Sequence, residues 1–434
     1  MPSKPTNPDL ADIPGAEETA EFAQNMTAVM QRSQEVWTKM LEASANDDHP
    51  QHVDPMNIMP VFNQLGMEMM ANPEKMAERS LELWSQQAEL WRRSMMSWTG
   101  AEKPEPVAEP DRGDKRFKDE DWSRNQLFDY LKQAYLVTSR WTQDVVHTIG
   151  DMPERDRARV DFYTRAFVEA MSPSNFAATN PEVLRTTMEQ KGANLMRGVE
   201  ALARDVERGK GKLIISQTDM DAFAVGENMA MTEGAVIWQS NVMQLIQYAP
   251  LTEKVHARPL LFIPPWINKY YVLDLNPKKS MVKWLVEQGY TVFMISWVNP
   301  GEAQKGETWD SYMDNIMEAI DVVRAETGQD KINVGSYCIG ASMTGSMLAH
   351  MAKIGDDRIQ SATMFTGQLE FSSAGELQVL VDQKTLEVVD EQMEKGYLPA
   401  DSMASAFNML RSSDLIWSYM VQNYMLGKDP FPFD

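Results

Sequence analysis

Between residues 259 and 365 four short apolar runs alternate with three helical stretches, and this alternation constrains the fold more than any other feature of the chain. The runs 259–263, 291–297, 332–334 and 359–365 have strand length, and the first two end in the turn formers Pro264-Pro265 and Asn299-Pro300-Gly301. Residues 280–287, 309–326 and 339–353 read as helices, the first two closed by Gly289 and Gly328. Largely apolar strands alternating with helices predict a parallel sheet covered on both faces. Ligands of such a sheet bind at the carboxyl ends of its strands.

The third run leads into Cys338, the one cysteine in the chain. Small residues flank it at the second position on either side, Ser336 before and Gly340 after. That is the layout of a nucleophile elbow, a strained strand-to-helix turn where bulky neighbours would collide. The helix that follows places its positive end and free amides beside the sulfur, favouring thiolate over thiol. A buried structural cysteine fits the spacing alone. The strand before and the small residues Gly340, Ala341 and Gly345 after tip the reading towards a nucleophile.

An elbow enzyme draws one oxyanion donor from the amide after the nucleophile, here Ile339, and another from the loop after an earlier strand. By topology that second donor is Trp266 or Ile267, with Ile267 preferred. A base and an acid to orient it are harder to find. His350 lies twelve residues on in the same helix, roughly 18 Å along its axis. His256 precedes the first strand, at the opposite edge of the sheet, and His49, His52 and His147 fall in helical arms. Glu370, just after a strand, reads as structural. No full triad can be assembled from these residues.

The chain has 434 residues, enough for two or three compact units, and a net charge of −22. That charge excludes a nucleic-acid binder and offers no polybasic patch for a membrane. Residues 1–20 lack the apolar centre of a signal peptide, no run is long enough to span a bilayer, and a single cysteine fits a reducing cytoplasm. Residues 1–16 read as disordered, 21–41 as a helix and 46–55 as a break. After Asn72-Pro73, residues Leu81, Trp84, Ala88, Trp91, Met95 and Trp98 form a heptad seam, read equally as internal packing or as a surface for a subunit or apolar particle. Residues 100–114 read as a linker, Leu127, Leu131, Ala134, Thr138, Trp141 and Val145 as one helical stripe, and 155–171 and 181–208 as helices.

Several segments, in order, carry a family resemblance: Asp121-Trp122, residues 171–181 with Asn180-Pro181, residues 232–235, the loop 264–275 (PPWINKYYVLDL), residues 330–334, Asp414 to Trp417, and Asn423 to the last residue. Together they resemble class I poly(3-hydroxyalkanoate) synthases. The resemblance covers nearly everything from Asp121 onward and is thin before it. It implies an α/β-hydrolase core behind a helical N-terminal domain. Residues 1–115 would be a helical arm and linker, 116–255 the helical synthase domain, 256–371 the first part of the core and 372–434 a cap region. It also implies Cys338 as nucleophile, with an aspartate and a histidine expected beyond Asp434, so that the chain reads as truncated and inactive alone. Ser336 stands where the family usually has Gly, Ala341 replaces a frequent Gly, and Ser418 follows Trp417 where Asn is usual.

The implied reaction polymerises (R)-3-hydroxyacyl-CoA, with 3-hydroxybutyryl-CoA the expected substrate, and needs no metal or other cofactor. The implied partners are the growing polyhydroxyalkanoate granule, granule-associated proteins and a second copy in a homodimer, at the granule surface in the cytoplasm. A polyanionic CoA calls for local basic charge, and residues 251–300 carry six Lys and Arg against three acids, with Lys269 the best placed to touch substrate. A thioesterase or polymer esterase on the same fold, or a non-catalytic granule-surface binder, are the alternatives.

Overall fold

The structure, a computed structural model, describes residues 16–45, 59–99, 104–148, 152–394, 396–398 and 400–432. The expectations for residues 1–15 and 46–55, and for His49 and His52, lie outside the described residues. The chain forms two compact units. A helical unit comprises Met1–Asp219 with Val379–Thr385 and Ala404–Phe433, and a sheet unit comprises Met220–Gln378 with Leu386–Met403. Their limits fall at other places than 115, 255 and 371. No helix among the described residues is long and apolar enough to cross a membrane.

In the helical unit α1 (Ala16–Ala45), α2 (Met59–Ala71) and α3 (Pro73–Trp98) are followed by α4 (Asp121–Arg124), α5 (Gln126–Thr148), α6 (Glu154–Ala170), α7 (Pro181–Glu189) and α8 (Ala193–Arg208). Of the two readings of the heptad seam the structure favours a surface: it faces solvent, with Trp84, Trp91 and Trp98 71%, 51% and 40% exposed, while Leu90, off the seam, is buried. Residues 104–114 are a strap rather than a free linker: Ala108 is buried, and the Val107 amide donates to Gln133 Oε1 at 2.6 Å. On α5 the buried face is Lys132, Gln133, Leu136 and Val137 with Val145, while Leu127 and Thr138 are exposed. The cause is Trp122, which is fully buried and whose carbonyl accepts from Lys132 Nζ at 2.9 Å, turning that face inward. Residues 181–208 are two helices, because Lys191 and Gly192 take left-handed φ of 51° and 83° and the Gly192 amide closes α7 on the Thr187 carbonyl. Asn180 caps α7 as expected, its Oδ1 accepting from the Val183 amide at 3.2 Å.

The sheet unit contains β1 (Gly234–Gln239), β2 (Met243–Tyr248), β3 (Leu260–Ile263), β4 (Asp274–Asn276), β5 (Lys279–Ser280), α9 (Met281–Glu287), β6 (Val292–Trp297), α10 (Trp309–Thr327), β7 (Ile332–Tyr337), α11 (Ile339–Ile354) and β8 (Ile359–Phe365). Six strands form one sheet in the order β1-β2-β6-β3-β7-β8, and β4 and β5 pair separately. Strands β6, β3, β7 and β8 are parallel, as expected. The antiparallel edge strands β1 and β2 are an addition, lying in a region read as helical. Alternate residues of the parallel strands face opposite cores. Leu261, Ile263, Phe293, Ile295 and Val334 pack with α10 and α11, whereas Phe262, Val292 and Met294 pack with Val282, Leu285 and Val286 of α9. Burial on both faces explains why these strands read as near-continuous apolar runs.

From β3 the chain passes over one face, through α9, to its neighbour β6. From β7 it passes over the other, through α11, to its neighbour β8. The connections therefore diverge between the adjacent strands β3 and β7, and the crevice of the sheet opens at their carboxyl ends. The loop after Ile263 and the turn at Cys338 lie on its two sides.

The last part of the chain contains α12 (Gln383–Gln392), α13 (Ala400–Leu410) and wide π-helical turns at Ser413–Trp417 and Met420–Met425. Within the helical unit the second of these is locked to α8. Tyr424 Oη donates to the buried Asp205 carboxylate at 2.5 Å, and Asn194 Nδ2 donates to the Met425 carbonyl at 2.8 Å. Gly198 is required because a Cβ there would overlap the Tyr424 carbonyl.

Candidate active site

Cys338 sits at the turn between β7 and α11 with φ 53° and ψ −131°, a conformation costing a non-glycine residue on the order of 1–3 kcal/mol. The surroundings hold it there. Its amide donates to the Phe365 carbonyl at 3.1 Å, and its carbonyl accepts from the Ala341 amide at 3.0 Å. The side chain is exposed. As the first residue of α11, Ile339 has no intrahelical acceptor for its amide. The elbow expected from sequence is thus present with its thiol accessible and an amide donor beside it.

The small flanking residues have distinct causes. A Cβ on Gly340 would stand 2.8 Å from the Pro264 carbonyl oxygen and closer still to that of Ile263, so only glycine lets α11 start against the end of β3. Ser336 pairs with Ile263 and Met364 in the sheet and is completely buried, its hydroxyl without a hydrogen-bond partner. Ala341, also fully buried, occupies space left by Gly367, where a Cβ would overlap the alanine methyl. The departure from glycine at 341 is therefore accommodated across the turn after β8.

The loop opposite the elbow is tied at several points. Trp297 Nε1 donates to the Pro264 carbonyl at 2.7 Å in a buried contact. Lys269 Nζ donates to Asn299 Oδ1, and the Lys269 carbonyl accepts from Tyr337 Oη at 3.5 Å. At its far end Asp274 is buried and accepts from Thr232 Oγ1 at 2.6 Å and Ser280 Oγ at 2.5 Å. Sequence reasoning missed Trp297, Asn299 and Tyr337 as supports. The available signal was their position: two at or just past the carboxyl end of β6, one beside the cysteine.

Burial and the neighbouring Cys338 push the Tyr337 phenol up to about 12, so it stays a neutral donor. Partial burial pulls the Lys269 ammonium below its ordinary value. Of the other basic residues of 251–300, Lys254 and Arg258 precede β3, at the opposite end of the strand, and Lys283 pairs with Glu287.

The described histidines lie where the sequence indicates. His350 is exposed on α11 twelve residues beyond Cys338, and His256 packs on Tyr290 with its amide bonded to the Gly289 carbonyl. In the helical unit His147 Nε2 stands 3.3 Å from Asp161. Glu370 accepts from the Ser372 amide at 2.8 Å, a bond within its own turn that holds its carboxyl below the usual range.

A family model described as "Poly-beta-hydroxybutyrate polymerase (PhaC) N-terminus" matches residues 113–285, and one described as "alpha/beta hydrolase fold" matches residues 258–413. The chain is 43% identical over 436 residues to a poly(3-hydroxyalkanoate) polymerase of Methylorubrum extorquens, covering 100% of this chain and 72% of that one. It is 45% identical to a poly(3-hydroxyalkanoate) polymerase subunit PhaC of Rhizobium meliloti, over 84% of this chain and 60% of the relative. A third, from Rhizobium etli, is 44% identical over 88% and 61%. The chain thus spans less than two thirds of the length of the latter two. With sequence agreement running through both the helical unit and the α/β-hydrolase sheet that carries the elbow, the chain belongs to the poly(3-hydroxyalkanoate) polymerase family.

Proposed function

We propose that this protein polymerises (R)-3-hydroxyacyl groups, with 3-hydroxybutyryl-CoA as substrate, through an acyl thioester on Cys338 and release of CoA. The observation that carries the reading is the exposed Cys338 thiol, held at a strained elbow in the crevice between β3 and β7 beside the Ile339 amide at the start of α11. The names of the relatives support it.

Sulfur suits this task. Attack of the thiolate on the acyl-CoA carbonyl forms one thioester as another breaks, so the exchange is nearly isoenergetic and the acyl group keeps its activation. A 3-hydroxyl of a second acyl group then attacks that carbonyl, the carbon–sulfur bond breaks, and the hydroxyl proton passes to the departing sulfur, leaving the more stable oxoester and the free Cys338 thiol. A serine would form the oxoester at the first step and dissipate the drive. The amides of Ile339 and Ile267 would stabilise the oxyanion in each step. Lys269 would contact the incoming substrate. The protein would work as a homodimer on the cytoplasmic polymer granule, alongside granule-associated proteins.

The complete protein given 3-hydroxybutyryl-CoA should release CoA and deposit insoluble polymer, and Cys338→Ala in it should abolish both. Polymer formed by the alanine variant would overturn the reading. Free 3-hydroxybutyrate in place of polymer would assign the acyl group to water and make the protein a thioesterase.

A further inference from the structure

We infer that Trp266 is a positioning residue: an aromatic box built around its indole holds the loop after β3 so that the Ile267 amide faces the elbow. The inference rests on the proposed acylation of Cys338 and adds a device that fixes its second oxyanion donor.

The loop's own covalent structure narrows the choice of donor. Pro264 and Pro265 have no amide hydrogen, so the first N–H groups after β3 belong to Trp266 and Ile267. The loop starts in contact with the elbow, since the Ile263 and Pro264 carbonyls fill the space of the missing Gly340 side chain. Where those amides point then depends on what fixes the backbone just beyond Pro265.

The indole of Trp266 supplies that fixation. Its ring lies 5.4 Å from Tyr312, 5.8 Å from Trp309 and 6.4 Å from Trp297, the two tryptophans edge-on at 82° and 87°. Trp297 and Tyr312 also touch each other, at 5.4 Å. These are favoured edge-to-face and offset separations. The walls come from rigid elements, Trp297 from the end of β6 and Trp309 and Tyr312 from the first turn of α10. Trp297 does double duty, because its indole N–H holds the Pro264 carbonyl. The backbone on the N-terminal side of Ile267 is therefore gripped twice, once by a hydrogen bond and once by the packed indole. Removing the indole frees the residue immediately before the donor.

The test compares two reagents on the same sulfur. Iodoacetamide alkylates Cys338 by displacing iodide and creates no oxyanion. With p-nitrophenyl butyrate, the thiolate bonds to the carbonyl carbon through an oxyanion intermediate and p-nitrophenolate leaves, the thiol proton having gone to solvent. Because the chain has one cysteine, alkylation reports Cys338, and the part of p-nitrophenolate release that is lost in Cys338→Ala reports its acylation.

In Trp266→Ala the acylation rate should fall about 10- to 100-fold, the scale of a misplaced oxyanion donor, while alkylation is unchanged. Trp266→Phe should restore most of the acylation. Trp309→Ala, which removes one wall from outside the loop, should lower acylation alone. Equal rates in variant and unsubstituted protein overturn the inference, as does a parallel loss of both reactions, which a general loss of structure would produce. If the unsubstituted protein is acylated no faster than a free thiol, the proposed function fails and takes the inference with it.

Discussion

Gly340 is the residue at which the elbow is most exposed to a single change. A methyl group there meets backbone on two sides, the Ile263 and Pro264 carbonyls, and neither can rotate away. Gly340→Ala should cost roughly 1–3 kcal/mol in urea unfolding and slow alkylation of Cys338, because α11 must move off β3. Ser336 predicts the opposite sign. Its hydroxyl is buried without a partner, so Ser336→Ala should raise stability by about 1 kcal/mol in the same experiment. The elbow was legible in sequence because its demands are local: a strand, small residues at two fixed offsets and a helix. The aromatic box was not, because residues 266, 297, 309 and 312 share no spacing and meet only once the strands are ordered.

Among the elements, α3 shows that a regular pattern does not tell which way it points. Its seam of Trp84, Trp91 and Trp98 has ideal heptad spacing, yet the helix buries Leu90 and packs Leu83 towards the core. Trp91 and Trp98 instead meet edge-on at 5.8 Å and lean on Tyr130 of α5. Leu90→Ala should therefore cost roughly 2–5 kcal/mol. Trp84→Ala should stay within about 0.5 kcal/mol, both read from thermal unfolding. Periodicity fixes a stripe but not which stripe faces inward, and on α3 and α5 the decision belonged to packing partners outside the helix. The strands β1 and β2 were overlooked for a related reason. Their alternation is short, as in Met243 and Leu245 of β2, and only pairing with β6 makes it a sheet edge. The parallel strands were easier, since burial on both faces leaves an unbroken apolar signature.

At the scale of the molecule, each unit contains an Arg–Asp pair that ties its stability to pH. Hydrogen bonds from Arg185 hold the Asp119 carboxyl below its ordinary value in the helical unit, and those from Arg358 do the same for Asp356 in the sheet unit. A carboxylate depressed on folding contributes stability above its unfolded pKa of about 3.9, and loses it as pH falls through the lower folded value. The midpoint of thermal unfolding should hold to about pH 5 and drop below about pH 4. The gap between unsubstituted protein and Asp356→Asn should close over the same range; a gap unchanged down to pH 3 would remove Asp356 from the explanation. Connectivity adds a consequence of another kind. The carboxylate of Asp205 waits for a phenol 219 positions downstream, and the whole sheet unit through β8 is encoded between them. On a ribosome adding roughly 5–20 residues per second, that delay is on the order of ten to forty seconds. The helical unit thus starts before the sheet strands and is closed only after β8 has emerged, holding a half-built α8 surface open in between.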